Sequence, residues 1–387
     1  SASESDAPYT ALIITGQNNH TCDASTPILK EILDNTELFE TFIAVSPAQG
    51  EDMSGFTPVF SEYDLVVLDY TGDAWPKETQ EAFLAYVKGG GGVVVYHAAS
   101  NAFPEWKEFN KVIGLGGWGN RDEKDGPYVR WRDGEIVRDM TPGRGGSHGQ
   151  QHAFVVTVRE PEHPITKGLP ATWLHAQDEL YSELRGPAEN LTVLATAYAD
   201  TAKGGTGEHE PSLMTIQYGQ GRIFHTTLGH VMGTGPFPAV ECVGFIVTLQ
   251  RGAEWAATGA VSQEIPVAFP SHNSLSFWDK YRPYSLDELL TCMESYMPGE
   301  SRTCLQDFSN MIREYSTNPN ELKVIELASI KFLKGKATAD AKNLVLQELA
   351  LFGTETSESI LNKLMTEEDT KEMARFALER ITNEFTN

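Results

Sequence analysis

No run of about 18 consecutive apolar residues occurs in the 387-residue chain, so the sequence offers no membrane-spanning helix. Basic charge is scarce: 30 Lys and Arg stand against 54 Asp and Glu, a formal net charge of -24. A field of that sign repels phosphate backbones and anionic headgroups, which makes nucleic acid and membrane surfaces poor partners. Cysteine is equally sparse. Cys22, Cys242, Cys292 and Cys304 have no CxxC spacing and are too few for a disulfide framework, although Cys292 and Cys304 fall in one helical region and could pair or stay free. Several reaction signatures are missing as well. There is no HxH or HExxH for a compact metal site. The glycines Gly89 to Gly92 precede a strand instead of following one, and no Lys-Ser/Thr comes after them, so no phosphate loop and no nucleotide cofactor are expected.

What the chain does have is a strong α/β rhythm. KGGGGVVVYHAAS (Lys88 to Ser100) holds a short β-branched run that stops abruptly at His97, as the central strand of a parallel sheet does. Further strands are predicted over Thr10–Thr15, Phe42–Val45 and Leu65–Asp69, with helices starting near Ser25-Thr26-Pro27 and spanning Thr79–Val87. The alternation implies βαβ units and a doubly wound parallel sheet covered on both faces. Residues 103–149 are irregular and Gly-rich, long enough to be a functional lid. Strands over His152–Val158, Leu191–Ala197, Ser212–Tyr218 and Gly221–Thr226 follow, then a helix from Ala239. Beyond Pro283 the pattern is wholly helical. The expected organisation is a leader (1–8), an α/β domain (9–265), a linker (266–283) and a smaller all-α domain of HEAT-like helix pairs (284–387), a candidate surface for a protein partner. The acidic, polar opening SASESDAPYT lacks an initiator Met. It sets the expectation of an exported protein, periplasmic or an outer-surface lipoprotein of a bacterium.

In open α/β sheets the functional crevice lies outside the carboxyl ends of the strands. Five polar positions fall at such ends or in the irregular insertion: Asn18 to His20, His97, His148 to His152, Asp178 with Glu179, and His225 to His230. His with carboxylate is the composition of a divalent-metal site, and equally that of an acid/base pocket for a sugar. Asp178 and Glu179 point to opposite sides if extended, so one orients structure while the other, taken as Glu179, faces the pocket. His163 reads as a turn residue, His209 and His272 as exposed loop residues, and His175 as facing either way. Trp106, Trp118, Trp131, Tyr128 and Trp173 either stack on sugar or pack the insertion down.

Taken in order, the first strand ending in GQNNH, then GGGGVVVYHAAS, HPITKGLP with DELY downstream, and GRIFHTTLGH resemble the ThuA (trehalose-utilisation) family. That resemblance covers roughly the first 260 residues and implies a flavodoxin-like fold of the class I glutamine-amidotransferase type. In those amidotransferases a nucleophilic Cys follows the central strand; here the position is His97, so thiol chemistry there has no nucleophile. The resemblance further implies sugar catabolism by way of 3-keto-glycosides. On that reading His97, Glu179 and His152 are the catalytic groups. His20, His97, His152 and His230 would ligate a divalent metal such as Zn, Mn, Ni or Fe, and Asn18, Asn19, Gln151, Asp178 and Trp118 would bind the carbohydrate substrate. The expected activity is a hydrolase or lyase; the alternatives are a 3-keto-sugar isomerase and a non-catalytic glycan-binding or scaffold protein. A two-carboxylate glycosidase is disfavoured, because adjacent carboxylates cannot straddle a scissile bond.

Overall fold

The computed structural model describes residues 7–280 and 284–384. Residues 1–6 of the expected leader and 281–283 of the expected linker lie outside the described residues. The chain divides into two compact units, Ser1–Arg282 and Pro283–Asn387. In chain order the first unit contains β1 (Tyr9–Thr15), α1 (Cys22–Asp34), β2 (Phe39–Val45), β3 (Leu65–Leu68), α2 (Lys77–Lys88), β4 (Gly92–Tyr96) and α3 (Lys107–Ile113). There follow β5 (Tyr128–Arg132), β6 (Glu135–Asp139), β7 (His152–Val158), β8 (Thr172–Asp178), β9 (Leu191–Tyr198), β10 (His209–Tyr218), β11 (Gly221–Thr226), α4 (Pro238–Glu241) and α5 (Val243–Thr258).

One mixed sheet runs through this unit in the order β2-β1-β3-β4-β11-β10-β9-β7-β8, with the β5–β6 hairpin branching from β10. From β2 to β11 neighbours are parallel; from β11 onward they are antiparallel. The parallel half is the doubly wound sheet that strand and helix alternation predicts. The antiparallel half follows from the tight Gly219-Gln220-Gly221 turn between β10 and β11, which leaves no room for a crossover helix. Side chains of β4 alternate accordingly. Val94 and Tyr96 pack with Leu29, Ile32 and Leu33 of α1 and with Phe245, Leu249 and Ala253 of α5. Val93 and Val95 pack on the other face, with Phe83 and Val87 of α2 and Phe109 and Val112 of α3. Burial on both faces is why β3 and β4 read as unbroken β-branched runs.

Three local expectations change. The helix after β1 starts at Cys22, so Ser25 and Thr26 lie inside it and their hydroxyls bond Asp69 at 2.6 and 2.8 Å instead of capping the helix. The insertion over 103–149 is not a structureless lid, since it contains α3 and the β5–β6 hairpin. The stretch from residue 266 packs Phe269, Leu275, Phe277 and Trp278 against the α5 side of the first unit. Among the described residues no helix is long and apolar enough to cross a membrane.

The second unit is all helical: α6 (Leu286–Met293), α7 (Thr303–Glu314), α8 (Pro319–Lys334), α9 (Ala339–Phe352), α10 (Glu358–Leu364) and α11 (Lys371–Glu384). Ser285 and Glu288 form a reciprocal capping box at the start of α6, while Asn318 and Thr338 cap α8 and α9. Leu289, Phe308, Ile325, Leu346, Leu361 and Ala377 contribute to one buried cluster. Cys292 and Cys304 pair as a disulfide between α6 and α7.

Candidate functional site

At the end of β4 the chain turns sharply, and His97 takes φ of +42°, a left-handed conformation that costs a non-glycine residue about 1–2 kcal/mol. The turn drives the imidazole into the crevice outside the strand ends. Its Nδ1 lies 2.6 Å from the Thr227 carbonyl and donates to it, and its Nε2 is buried. Tyr181 stacks on the ring at a centroid distance of 4.1 Å.

Three further groups converge there. The loop after β1 delivers His20, whose Nδ1 sits 3.0 Å from Asn19 Oδ1. The segment after β11 delivers His230. The chain leaving β8 delivers Glu179. Oε2 of Glu179 lies 3.5 Å from His97 Nε2, 3.7 Å from His20 Nε2 and 3.0 Å from His230 Nδ1. Burial alone would raise the Glu179 carboxyl; the surrounding imidazoles outweigh it and hold the group far below the usual carboxylate range, so it is ionised. Burial lowers His20 below the ordinary imidazole value, against the pull of Glu179.

One donor atom from each of His20, His97, Glu179 and His230 lies within 4.8 Å of the others. Imidazole nitrogens and one carboxylate oxygen suit Zn, Mn, Fe or Ni, and a neutral His97 or His20 with its other nitrogen engaged presents a lone pair as a metal requires. Nε2 of His97 and Nδ1 of His230 are buried and face Glu179 Oε2 without a hydrogen bond of good geometry, and such an ion would satisfy them. The residues present therefore fit a divalent metal.

His20, Glu179 and His230 line a cleft of about 630 Å³, with His97 buried behind them; Asn18, Asn19, Asp73, Asn101, Trp118 and His148 line it too. His148, half-exposed at the rim, places Nε2 3.4 Å from Glu179 Oε1. The insertion is held over the cleft by Ser147 and Ser182, which exchange backbone hydrogen bonds at 2.8 Å.

Of the residues singled out from the sequence, His20, His97, Glu179 and His230 come together, and Asn18, Asn19 and Trp118 join the cleft. His152 does not. It opens β7 outside the cluster, with Nδ1 2.8 Å from the Gln150 carbonyl, because the bend before the strand turns the ring aside; Gln151 is exposed and is not among the cleft-lining residues. Asp178 also stays off the cleft. It is fully buried and bonded to His175 at 2.7 Å. Glu179, read as a base, stands as a fourth donor beside the imidazoles. His148 and Tyr181 gain their places from tertiary packing. Trp106, Trp131, Tyr128 and Trp173 pack the domain, with Trp106 against Phe103 and Trp173 against Phe269. His225 is buried, bonded through Nδ1 to the Ile113 carbonyl at 2.8 Å. HPITKGLP serves α5: Arg251 donates to the carbonyls of Pro164, Ile165 and Lys167 at 2.8–2.9 Å.

The fold and site define a half-parallel, doubly wound sheet that carries a cluster of three histidines and one carboxylate at its strand ends. The profile of the ThuA family, described as trehalose utilisation, matches residues 10–256, and the chain belongs to that family. A ThuA-like protein of Parabacteroides merdae of known structure is 52% identical, with a TM-score of 0.70, over 72% of this chain and 100% of that one. A ThuA-like protein of Bacteroides uniformis is 20% identical, with a TM-score of 0.45, over 66% of this chain and 94% of that one. No functionally curated protein matches the sequence. Membership of the trehalose-utilisation family points to a role in sugar metabolism.

Proposed function

We propose that the protein is a metal-assisted carbohydrate lyase or hydrolase acting on 3-keto-glycosides. The observation that carries this reading is the convergence of His20, His97, His230 and Glu179, with His20, Glu179 and His230 on the wall of a cleft lined by amides and an indole and His97 buried directly behind them. His20, His97, His230 and Glu179 would hold the metal, which supplies Lewis-acid polarisation of a carbonyl oxygen when bound. Asn18, Asn19 and Asn101 offer amide donors and acceptors to sugar hydroxyls, and Trp118 offers an apolar face.

A ketone at C3 acidifies the C2 proton. Glu179 Oε1 and His148 Nε2, 3.4 Å apart, are the proton-accepting atoms facing the open side of the cleft. The C2–H electron pair becomes the C1=C2 bond, the C1–O bond breaks, and the aglycone leaves with a proton. Water then adds across the double bond, its oxygen at C1 and a proton at C2, to give the free 3-keto sugar. Without the C1 departure the same proton transfer would isomerise the substrate.

Elemental analysis of the purified protein, beside His97→Ala and His230→Ala, tests the metal, and incubation with 3-keto-glycosides tests the reaction. Near-stoichiometric metal lost in both variants, with turnover at least 100-fold lower, is expected. Wild-type protein that neither takes up metal nor consumes 3-keto-glycosides overturns the proposal. The disulfide supports an exported setting, where such bonds persist. Val324 and Leu327, exposed on α8, support the helical unit as a HEAT-like docking surface for a protein partner.

A further inference from the structure

Behind the cleft wall lies a chain of three buried groups: Asp178, expected at the substrate, and Cys242 and His175, to which the sequence assigns no role. Cys242, at the break between α4 and α5, places Sγ 3.5 Å from His175 Nδ1. His175 Nε2 lies 2.7 Å from Asp178 Oδ2. Cysteine, histidine and aspartate in that order have the composition of a nucleophilic triad. Here the sulfur is only 2% exposed, His175 and Asp178 are fully buried, and none of the three lines the cleft, so no substrate reaches the thiol.

What the chain of groups does touch is the site's own scaffold. Asp178 Oδ1 accepts the backbone N–H of Glu179 at 2.7 Å and of His230 at 3.0 Å. Its Oδ2 accepts the N–H of Gly229 at 2.8 Å together with His175. One carboxylate thus joins two segments some fifty residues apart, each bearing a donor of the metal cluster, and His175 fixes its rotation. From the other side Tyr96 donates its hydroxyl to the Gly229 carbonyl. Gly229 has φ of +111°, and a Cβ there would fall 2.5 Å from the Tyr96 ring, so the segment is pinned on both sides.

We infer that His175 and Asp178, backed by Cys242, are positioning residues: a buried clamp that sets Glu179 and His230 relative to each other and so sets the affinity of the cluster for its metal. The inference rests on the metal reading above. Partners that orient ligands typically alter metal affinity 10–100-fold when lost.

The test titrates Zn²⁺ against a chromophoric chelator, using metal-free full-length wild type, His175→Phe, which keeps bulk without the N–H, and His175→Gln, which restores a donor to Asp178. About 10–100-fold weaker Zn²⁺ binding in His175→Phe, recovered in His175→Gln, is expected. A folded His175→Phe protein binding Zn²⁺ as tightly as wild type overturns the clamp. If His175→Phe does not fold, Asp178→Asn carries the same expectation, since one amide oxygen cannot accept four donors, and unchanged affinity there is equally fatal. If wild type takes up no Zn²⁺, the metal reading fails and hydrogen exchange of the metal-free proteins decides the clamp. Faster exchange of the Gly229 and His230 amides in the variant, with the rest of the sheet unchanged, supports it; unchanged exchange refutes it.

Discussion

His97 and His225 show how two histidines near one another in the sheet acquire opposite fates. His225 occupies β11, where its Nδ1 satisfies a carbonyl and its Nε2 is buried without a partner. Burial pushes it down to about 4 from 6.5, so it is neutral in the folded protein at pH 7. The unfolded chain binds a proton at this residue below about pH 6.5 while the folded one does not until about pH 4. Its contribution is therefore fully present above pH 6.5 and is lost as pH falls from 6.5 to 4. At 1.36 kcal/mol per unit this amounts to about 3 kcal/mol. Urea unfolding at pH 7 and pH 4 should show a decline smaller by about that amount in His225→Leu; equal declines would refute the assignment. His97 spends backbone strain to turn its Nε2 toward Glu179 and the other two imidazoles, an arrangement that a packing role would not require.

Among the elements, the insertion over 103–149 is anchored by one side chain. Arg185 is fully buried, donates to the carbonyls of Gly126 at 2.8 Å, Thr141 at 2.7 Å and Gly143 at 3.1 Å, and lies 3.9 Å from the Tyr128 ring centroid. It ties the hairpin and the strand leading to His148 onto the segment that follows Glu179. Replacing it leaves three carbonyls facing an apolar side chain, so Arg185→Leu should cost about 3 kcal/mol. The loss should be local: proteolysis confined to 120–150, a raised KM, and unchanged metal content, since His20, His97, Glu179 and His230 do not belong to the insertion. Loss of metal in a folded Arg185→Leu protein would show that the insertion, too, shapes the ligand set.

In the whole molecule, the His/Glu cluster and its cleft belong entirely to the unit Ser1–Arg282. A protein lacking the helical unit should keep its metal content and turnover and lose only whatever that unit binds. Turnover abolished in a folded truncation would assign the helices to catalysis. Within the helical unit the disulfide closes a loop of sequence separation 12, which loop entropy values at about 3 kcal/mol. Cys292→Ser with Cys304→Ser should lower the unfolding midpoint of the helices without altering metal content, read by calorimetry and elemental analysis on one preparation.

The sequence by itself determined the parallel half of the sheet, because burial on both faces demands unbroken β-branched runs such as Val93 to Val95, and it determined the helical tail, because period and caps are local. It also pointed to the strand ends as the crevice and so to His20, His97, Glu179 and His230. Tertiary structure alone decided which of the polar residues meet. His152 and His148 are four residues apart on the same stretch, yet a bend before β7 turns one ring aside while the Ser147–Ser182 pairing carries the other to Glu179. Asp178 and Glu179 are adjacent and chemically alike, and only the packing of His175 behind one and the imidazoles around the other separates a buried carboxylate that bonds backbone from one that faces the cleft. Secondary structure follows from periodicity within a dozen residues. A site assembled from loops after β1, β4, β8 and β11 depends on distances that no local pattern encodes.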